Sequence, residues 1–170
     1  MARTDPRQRY WETNNIQCTT ARKSNANMLA YVDILSQPLT PLGEQDLENL
    51  HPWLLEGGRE EALTIYGGTG VSPKLLHVFG QITELCVMLG KDLKSTMLVH
   101  GADGIQRVIK NLRQTSEASE GYSSPEDLLA ATELNLDSSG LVNNEKDVTD
   151  LTAEAWRQAA LIYLRCRFFR

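Results

Sequence analysis

Hydrophobic residues recur at intervals of three and four along several stretches of the chain, the spacing that places side chains on one face of an α-helix. The pattern is clearest after Ser72 and Pro73, because a capping serine followed by proline marks the start of a helix. Gly90 is placed to end that helix in the left-handed conformation. The apolar positions between these limits are Leu75, Val78, Phe79, Ile82, Leu85, Cys86 and Leu89.

Four further stretches also predict helices. The first extends from Asn25 to just before Pro38, because proline interrupts the hydrogen bonds of a helix interior. The second follows Pro41 and ends at Gly57, and a later one opens at Ser124, which precedes a proline and an acidic first turn. The apolar positions of the four stretches are Met28, Leu29, Tyr31, Val32, Ile34 and Leu35; Leu42, Leu47, Leu50 and Leu54; Ile105, Val108, Ile109 and Leu112; and Leu128, Leu129, Ala131 and Leu134.

The last predicted helix extends from Thr149 to Arg170. Its predicted apolar side carries Leu151, Ala155, Trp156, Ala159, Ile162, Tyr163 and Cys166, and its polar side carries Glu154, Arg157, Gln158, Arg165 and Arg167. Together the patterns predict an all-α, irregular multi-helix domain, in which residues 62–66 are the one short candidate for a strand. Residues 1–24 show no such period and are predicted to form a polar, poorly ordered tail, so the helical domain is predicted to cover residues 25–170.

Composition and charge narrow the classes of function. The 170 residues are 41% hydrophobic and 23% charged, which is typical of one globular domain. The formal charge is -5, so the chain as a whole would be repelled by a phosphate backbone, and we expect no direct DNA binding by this chain alone. No apolar stretch reaches the roughly 18 to 20 residues that cross a membrane, and the N-terminus lacks a secretory signal. We expect an intracellular protein without a membrane segment.

One glycine-rich segment invites comparison with a phosphate-binding loop. Residues 68–75 follow a β-like run and precede a helix, as such a loop does. The match fails because Pro73 removes a required backbone N–H and because Leu75 replaces the hydroxyl that would hold magnesium. The segment is better interpreted as a hinge leading into a capped helix.

The remaining reactive residues predict no catalytic, cofactor or metal site. The isolated histidines and cysteines, which lack metal-ligand spacing, are His51, His77 and His100 and Cys18, Cys86 and Cys166. Acidic pairs at residues 60–61 and 126–127 are interpreted as a solvated loop and a helix first turn. A cluster of cations near the C-terminus could form a phosphate-binding patch, although solvated surface is the favoured interpretation: Arg157, Arg165, Arg167 and Arg170.

Two segments carry a family resemblance. The first is Gly70 to Leu85, a glycine-led cap opening a helix with an Ile-x-x-Leu ending, and the second is Ala153 to Leu164, an alanine-rich helix with an Ala-x-x-Tyr-Leu ending. Together they resemble the fungal-specific transcription factor domain of zinc-cluster regulators, over the region from Leu63 to the end of the chain. Both motifs are packing patterns rather than chemistry.

The resemblance implies a nuclear, all-helical regulatory region that controls transcription through protein partners or a small effector. Two departures matter. Such regulators bind DNA through six cysteines around two zinc ions, whereas only Cys18 lies in the first 85 residues. The family's domain also continues beyond the Tyr-Leu helix, so we expect a partial domain truncated at its C-terminal end, whose uncovered apolar face would favour homo- or heterodimerisation. That face is predicted to include Trp156, Tyr163 and Phe169.

Two alternatives stay open from the sequence. One is a small helical enzyme or ligand carrier, whose site would be assembled from the dispersed residues His77, Glu84, Trp156 and Tyr163. The other is a nonfunctional fragment of a regulator.

Overall fold

A computed structural model of the chain describes residues 20–37, 51–55, 58–92 and 95–169. Within these ranges the fold is all-α, as predicted, and the pairing of residues near 64, 66 and 116 is limited to isolated β-bridges. The helices are α1 (Thr20–Ser36), a 3-10 helix (Pro52–Leu55), α2 (Arg59–Leu63), α3 (Pro73–Lys91), α4 (Thr96–Lys110), α5 (Pro125–Glu133) and α6 (Glu145–Phe168). No helix in the described part of the chain is both long enough and apolar enough to cross a membrane.

Helix α3 is the centre of the molecule. It packs against α1, α2, α4, α6 and the 3-10 helix, while α5 packs against α6. Its buried positions are adjacent pairs that recur every three or four residues, and this widens the buried stripe so that it contacts several neighbouring elements. Burying one large aliphatic side chain contributes roughly 1.5–3 kcal/mol, which makes this helix the main source of core stability. Its fully or nearly fully buried residues are Leu75, Leu76, Val78, Phe79, Ile82, Thr83, Cys86 and Val87.

Capping residues located two helix starts correctly. The Ser72 hydroxyl accepts a hydrogen bond from the Leu75 N–H at 3.4 Å, and the Ser124 hydroxyl accepts one from the Asp127 N–H at 3.1 Å. The predicted end at Gly90 is wrong, because α3 continues through Lys91. A glycine inside a helix weakens it but does not stop it when the flanking residues pack.

Several other boundaries differ from the sequence pattern. Helix α1 begins at Thr20, inside the stretch predicted to be a tail. The sequence pattern did not indicate this start because the first turn is polar and shows no apolar period. Helix α4 begins at Thr96, well before Ile105, and the acidic pair at 60–61 lies in the first turn of α2 rather than in a loop. The helix predicted after Pro41 falls mostly on residues 38–50, which lie outside the described residues.

The predicted faces of α6 are wrong in part. Its buried residues include Ala153, Ala160 and Leu164, together with Arg157, which the pattern placed on the polar side. Ile162, predicted to be apolar-side, is 61% exposed. Small alanines let the backbone of α6 approach α3 and α4 closely, and that approach selects a different stripe from the most hydrophobic one.

Candidate functional site

The glycine-rich segment at 68–75 forms a turn held by backbone hydrogen bonds. The N–H groups of Thr69 and Gly70 both donate to the Tyr66 carbonyl, at 3.0 and 2.8 Å, and the Tyr66 N–H donates to the Val71 carbonyl at 3.2 Å. Gly70 has φ of 68°, and a Cβ there would lie 2.5 Å from a methyl carbon of Thr152. The segment is therefore a hydrogen-bonded turn packed against α6, and it leads into a capped helix as expected.

The four residues of the enzyme alternative are not joined into one site. Trp156 packs edge-on against Phe79, with ring centroids 6.1 Å apart, and Tyr163 stacks on the same ring at 6.3 Å. His77 and Glu84 are seven residues apart on α3, which separates them by about 10 Å along the helix axis. No hydrogen bond joins any two of the four within the described ranges. Trp156 and Tyr163 are thus partly buried residues packed against the core, whereas Phe169, the third residue predicted for the uncovered face, is 42% exposed.

Burial also explains the titration of groups on α3 and α6. It raises the pKa of the Cys86 thiol to about 11, against an opposing effect of the Arg167 charge, so the thiol stays protonated at neutral pH. It likewise raises the pKa of Tyr163, whose hydroxyl lies 3.1 Å from that of Thr83. These groups behave as packing residues. In the described ranges, no three His, Cys, Asp or Glu side chains gather as metal ligands would.

The C-terminal arginines do not act as one patch, because Arg157 is enclosed between α6 and α4. Its guanidinium donates to both carboxylate oxygens of Glu154, at 2.7 and 2.8 Å. It also donates to the carbonyls of Ile109 and Lys110, at 3.1 and 3.3 Å, at the end of α4. The last carbonyls of a helix lack intrahelical donors, so this arginine caps α4 from the side. Of the other members, Arg165 is exposed, and Arg170 lies outside the described residues.

A buried glutamine, Gln114, forms further hydrogen bonds beside this arginine. The Gln114 side-chain amide donates to the Ala153 carbonyl at 2.7 Å, and its oxygen accepts from the Ser72 N–H at 2.9 Å. One side chain thereby joins the segment after α4 to α6 and to the cap of α3. We call the group formed by Arg157, Glu154, Gln114 and Ser72 the polar junction.

A second polar group closes the start of α6. Asp147 is fully buried and accepts a hydrogen bond from the Asn135 side-chain amide at 3.0 Å. The Lys146 ammonium lies 3.7 Å from Asp147 and 3.5 Å from Asp150, and it donates to the Tyr122 hydroxyl at 2.7 Å. The carboxylates lie in the first turns of α6, where the helix dipole favours negative charge. This group therefore stabilises the helix start.

An open cleft of about 750 Å³ lies on the other side of the α4 C-terminus, between α2, the start of α3 and α4. Its far wall is fixed by backbone pairing: the Ile65 N–H donates to the Thr115 carbonyl at 2.7 Å, and the Thr115 N–H donates to the Leu63 carbonyl at 3.0 Å. We call it the basic cleft. The described residues that line it are Leu55, Arg59, Ala62, Leu63, Lys74, Gly104, Arg107, Val108, Asn111, Leu112 and Arg113.

The basic cleft combines four cations with an apolar lining. Among the described lining residues none is acidic, although the whole chain carries a formal charge of -5. Arg113 donates to the Gly121 carbonyl, and Arg107 to the Asp103 carbonyl, so both are positioned by backbone rather than by a carboxylate. Burial lowers the pKa of His77, and the nearby charge of Lys74 lowers it further. The cleft is thus locally positive.

Sequence reasoning missed this cleft. Its cations are separated by up to fifty-four positions, from Arg59 to Arg113, and belong to four different segments. No periodic pattern or motif joins them. The only local sign was that basic residues of α4 lie beside its apolar stripe, which is also common on a solvated helix face.

With the geometry in view, comparison with known proteins decides the family. The family model for the fungal-specific transcription factor domain matches residues 3–170. The chain belongs to this family. The match extends the resemblance seen in the sequence, which began at Leu63, over nearly the whole chain. No curated protein and no solved structure gives a match.

For a fungal transcription factor domain, the two packing motifs now have a physical meaning. The segment from Gly70 to Leu85 supplies the pinned turn and the core face of α3, and the segment from Ala153 to Leu164 supplies the small residues that α6 packs against it. Phe79 receives Trp156 and Tyr163 from the second segment. The resemblance therefore rested on the two halves of one interface.

Proposed function

We propose that this chain is a helical regulatory domain that controls transcription in the nucleus, by binding a small effector and protein partners rather than by binding DNA itself. The family match is the observation that carries the proposal. The negative formal charge supports the part concerning DNA, since most non-specific affinity for DNA comes from cationic contacts with phosphate. The three cysteines of the sequence are too few for a six-cysteine zinc cluster.

The partner in this proposal is another protein chain, either a second copy or a related regulator. Exposed apolar side chains on α1, among them Leu29 and Val32, offer a surface of the kind that partners cover. We also propose that the domain is not an enzyme. The dispersal of His77 and Glu84, and the packing roles of Trp156 and Tyr163, support this view.

A reporter assay tests the regulatory role. The chain is fused to a DNA-binding module that lacks an activation function, and transcription from a reporter carrying that module's site is measured in a fungal host. We expect the fusion to change reporter output severalfold relative to the module alone. A matched fusion carrying Arg157→Met, which should lower the stability of the domain, should weaken the effect.

Two results would contradict the proposal. A fusion that is expressed, nuclear and bound at its site, but that leaves reporter output equal to the module alone across growth conditions, would rule out a regulatory role. Tight binding of the purified chain to DNA at physiological salt would contradict the part of the proposal concerning DNA.

A further inference from the structure

We infer that the basic cleft is a binding site for a small amphipathic organic anion, a molecule with a carboxylate or phosphate head group and an apolar body. The inference deepens the proposed function and rests on it for the role of this ligand as an effector. It is carried by the juxtaposition of Arg59, Lys74, Arg107 and Arg113 around an apolar lining.

The four cations of the cleft indicate that the ligand is an anion. No carboxylate of the described residues forms an ion pair with any of the four, whereas Arg157 nearby is paired with Glu154. Arg59, Arg107 and Arg113 are exposed, so an anion that enters the cleft can reach them. Arginine also presents a planar fork of donors that fits carboxylate and phosphate oxygens in pairs.

The apolar residues that line the cleft indicate that the ligand has an apolar body. Leu63, Val108 and Leu112 line the cleft together with Leu55 and Ala62, and Val108 is 43% exposed. An anion without an apolar body would leave this surface in contact with water. Transfer of an aliphatic chain onto it contributes roughly 0.8 kcal/mol for each buried CH₂ group.

The size of the cleft favours a small molecule over nucleic acid. Its volume of about 750 Å³ falls within the roughly 300–1,000 Å³ of ligand pockets. Nucleic acid requires a stripe of positive charge that follows the phosphate backbone, and here the cations surround a single concavity in a chain of net charge -5. Gly104 faces open space, so the α4 wall leaves room for an occupant.

The test uses two fluorescent probes that differ only in charge. 8-Anilinonaphthalene-1-sulfonate is an amphipathic anion, and N-phenyl-1-naphthylamine is the same apolar body without the sulfonate. Both are titrated into the purified full chain. We expect one sulfonate probe per chain, bound at least about tenfold more tightly than the neutral probe, which corresponds to about 1.4 kcal/mol.

Matched charge variants locate the site. The double variant Arg59→Gln/Arg107→Gln should weaken the sulfonate probe about tenfold or more and leave the neutral probe unchanged. The control Lys91→Gln/Arg165→Gln removes the same charge from exposed positions outside the cleft and should leave both affinities unchanged. Near-ultraviolet circular dichroism confirms that every variant is folded, since molten chains also bind the sulfonate probe.

Competition with three octyl compounds identifies the head group. Octanoate and octyl phosphate should displace the sulfonate probe, and octanol should not; displacement by only one of the two acids would assign the cleft to that head group. The inference is overturned if octanol competes equally, if both double variants bind the probe alike, or if the folded chain binds no probe. These measurements need only purified protein, so they can fail while the reporter assay succeeds, and the reverse.

Discussion

The end of α4 takes part in two sites that use cations in opposite ways. In the polar junction, Arg157 is 7% exposed and donates to Glu154 and to the carbonyls of Ile109 and Lys110. In the basic cleft, which begins one turn away at Arg107, four cations face a concave surface without a carboxylate among the described lining residues. In the polar junction the arginine charge is paired within the fold, whereas in the basic cleft the cations are not paired with a carboxylate of the described residues. The same residue type therefore stabilises one side of the helix end and prepares the other for a ligand.

The largest expected effect comes from removing the junction arginine. Arg157→Met should lower the free energy of unfolding by about 3 kcal/mol, because Glu154 loses its ion-pair partner and the Lys110 carbonyl loses a donor at a largely buried contact. Chemical denaturation measures the change. Arg165→Met, at an exposed position of the same helix, is the control and should stay within about 0.5 kcal/mol of the natural chain. If both substitutions lowered the free energy of unfolding equally, Arg157 would contribute no more to stability than an exposed arginine does.

Removing Gln114 from the polar junction should lower the free energy of unfolding by less than removing Arg157 does. Gln114→Met keeps the volume of the side chain but leaves the Ser72 N–H without its acceptor and removes the second donor of the Ala153 carbonyl. We expect a loss of about 2 kcal/mol in thermal or chemical unfolding, the cost of burying unsatisfied polar groups. Gln106→Met on α4 serves as the control. A loss no greater than that of the control would show that water replaces Gln114 adequately.

Two glycines should respond to alanine substitution with opposite signs: Gly104 in the α4 wall of the basic cleft, and Gly121 beside the backbone of Gln114 in the polar junction. Gly104→Ala should raise the free energy of unfolding by about 0.5–1 kcal/mol, because alanine favours a helix interior and its Cβ meets nothing here. Gly121→Ala should lower it, since Gly121 has φ of 74° and an added Cβ would overlap the Gln114 carbonyl. Thermal unfolding of the two variants compares them directly, and a loss at Gly104 would mean that the cleft wall is already filled.

The smallest expected effect on stability belongs to the cleft cations. Arg59→Gln/Arg107→Gln should change the free energy of unfolding of the unliganded chain by no more than about 0.5 kcal/mol, because neither side chain is paired with a carboxylate of the described residues. Denaturation without added anions measures this. A loss greater than about 1 kcal/mol would show that these cations hold the fold, and the comparison with the polar junction would fail.

Local signals predicted the parts of the fold that depend on neighbouring residues. Ser72 and Ser124 mark helix starts because their hydroxyls bond to N–H groups three residues along, a contact that sequence spacing alone specifies. The end at Gly90 was wrong because a glycine permits a helix end without requiring one. The start of α1 was missed because its first turn carries Ala21 alone among apolar residues, which is too little to set a period.

Short-range patterns in the sequence suffice for the all-α class and for the capped starts of α3 and α5, and the resemblance of two segments indicated the family that the family model matches. The buried stripe of α6 depends on packing in three dimensions, since the alanines that admit close packing outweigh the hydrophobicity of Ile162. The tertiary structure alone also brought Arg59 to Arg107 and Arg113, through the pairing of residues 63–65 with Thr115. A site assembled from distant segments leaves no local pattern, because its charges become neighbours only after the chain folds.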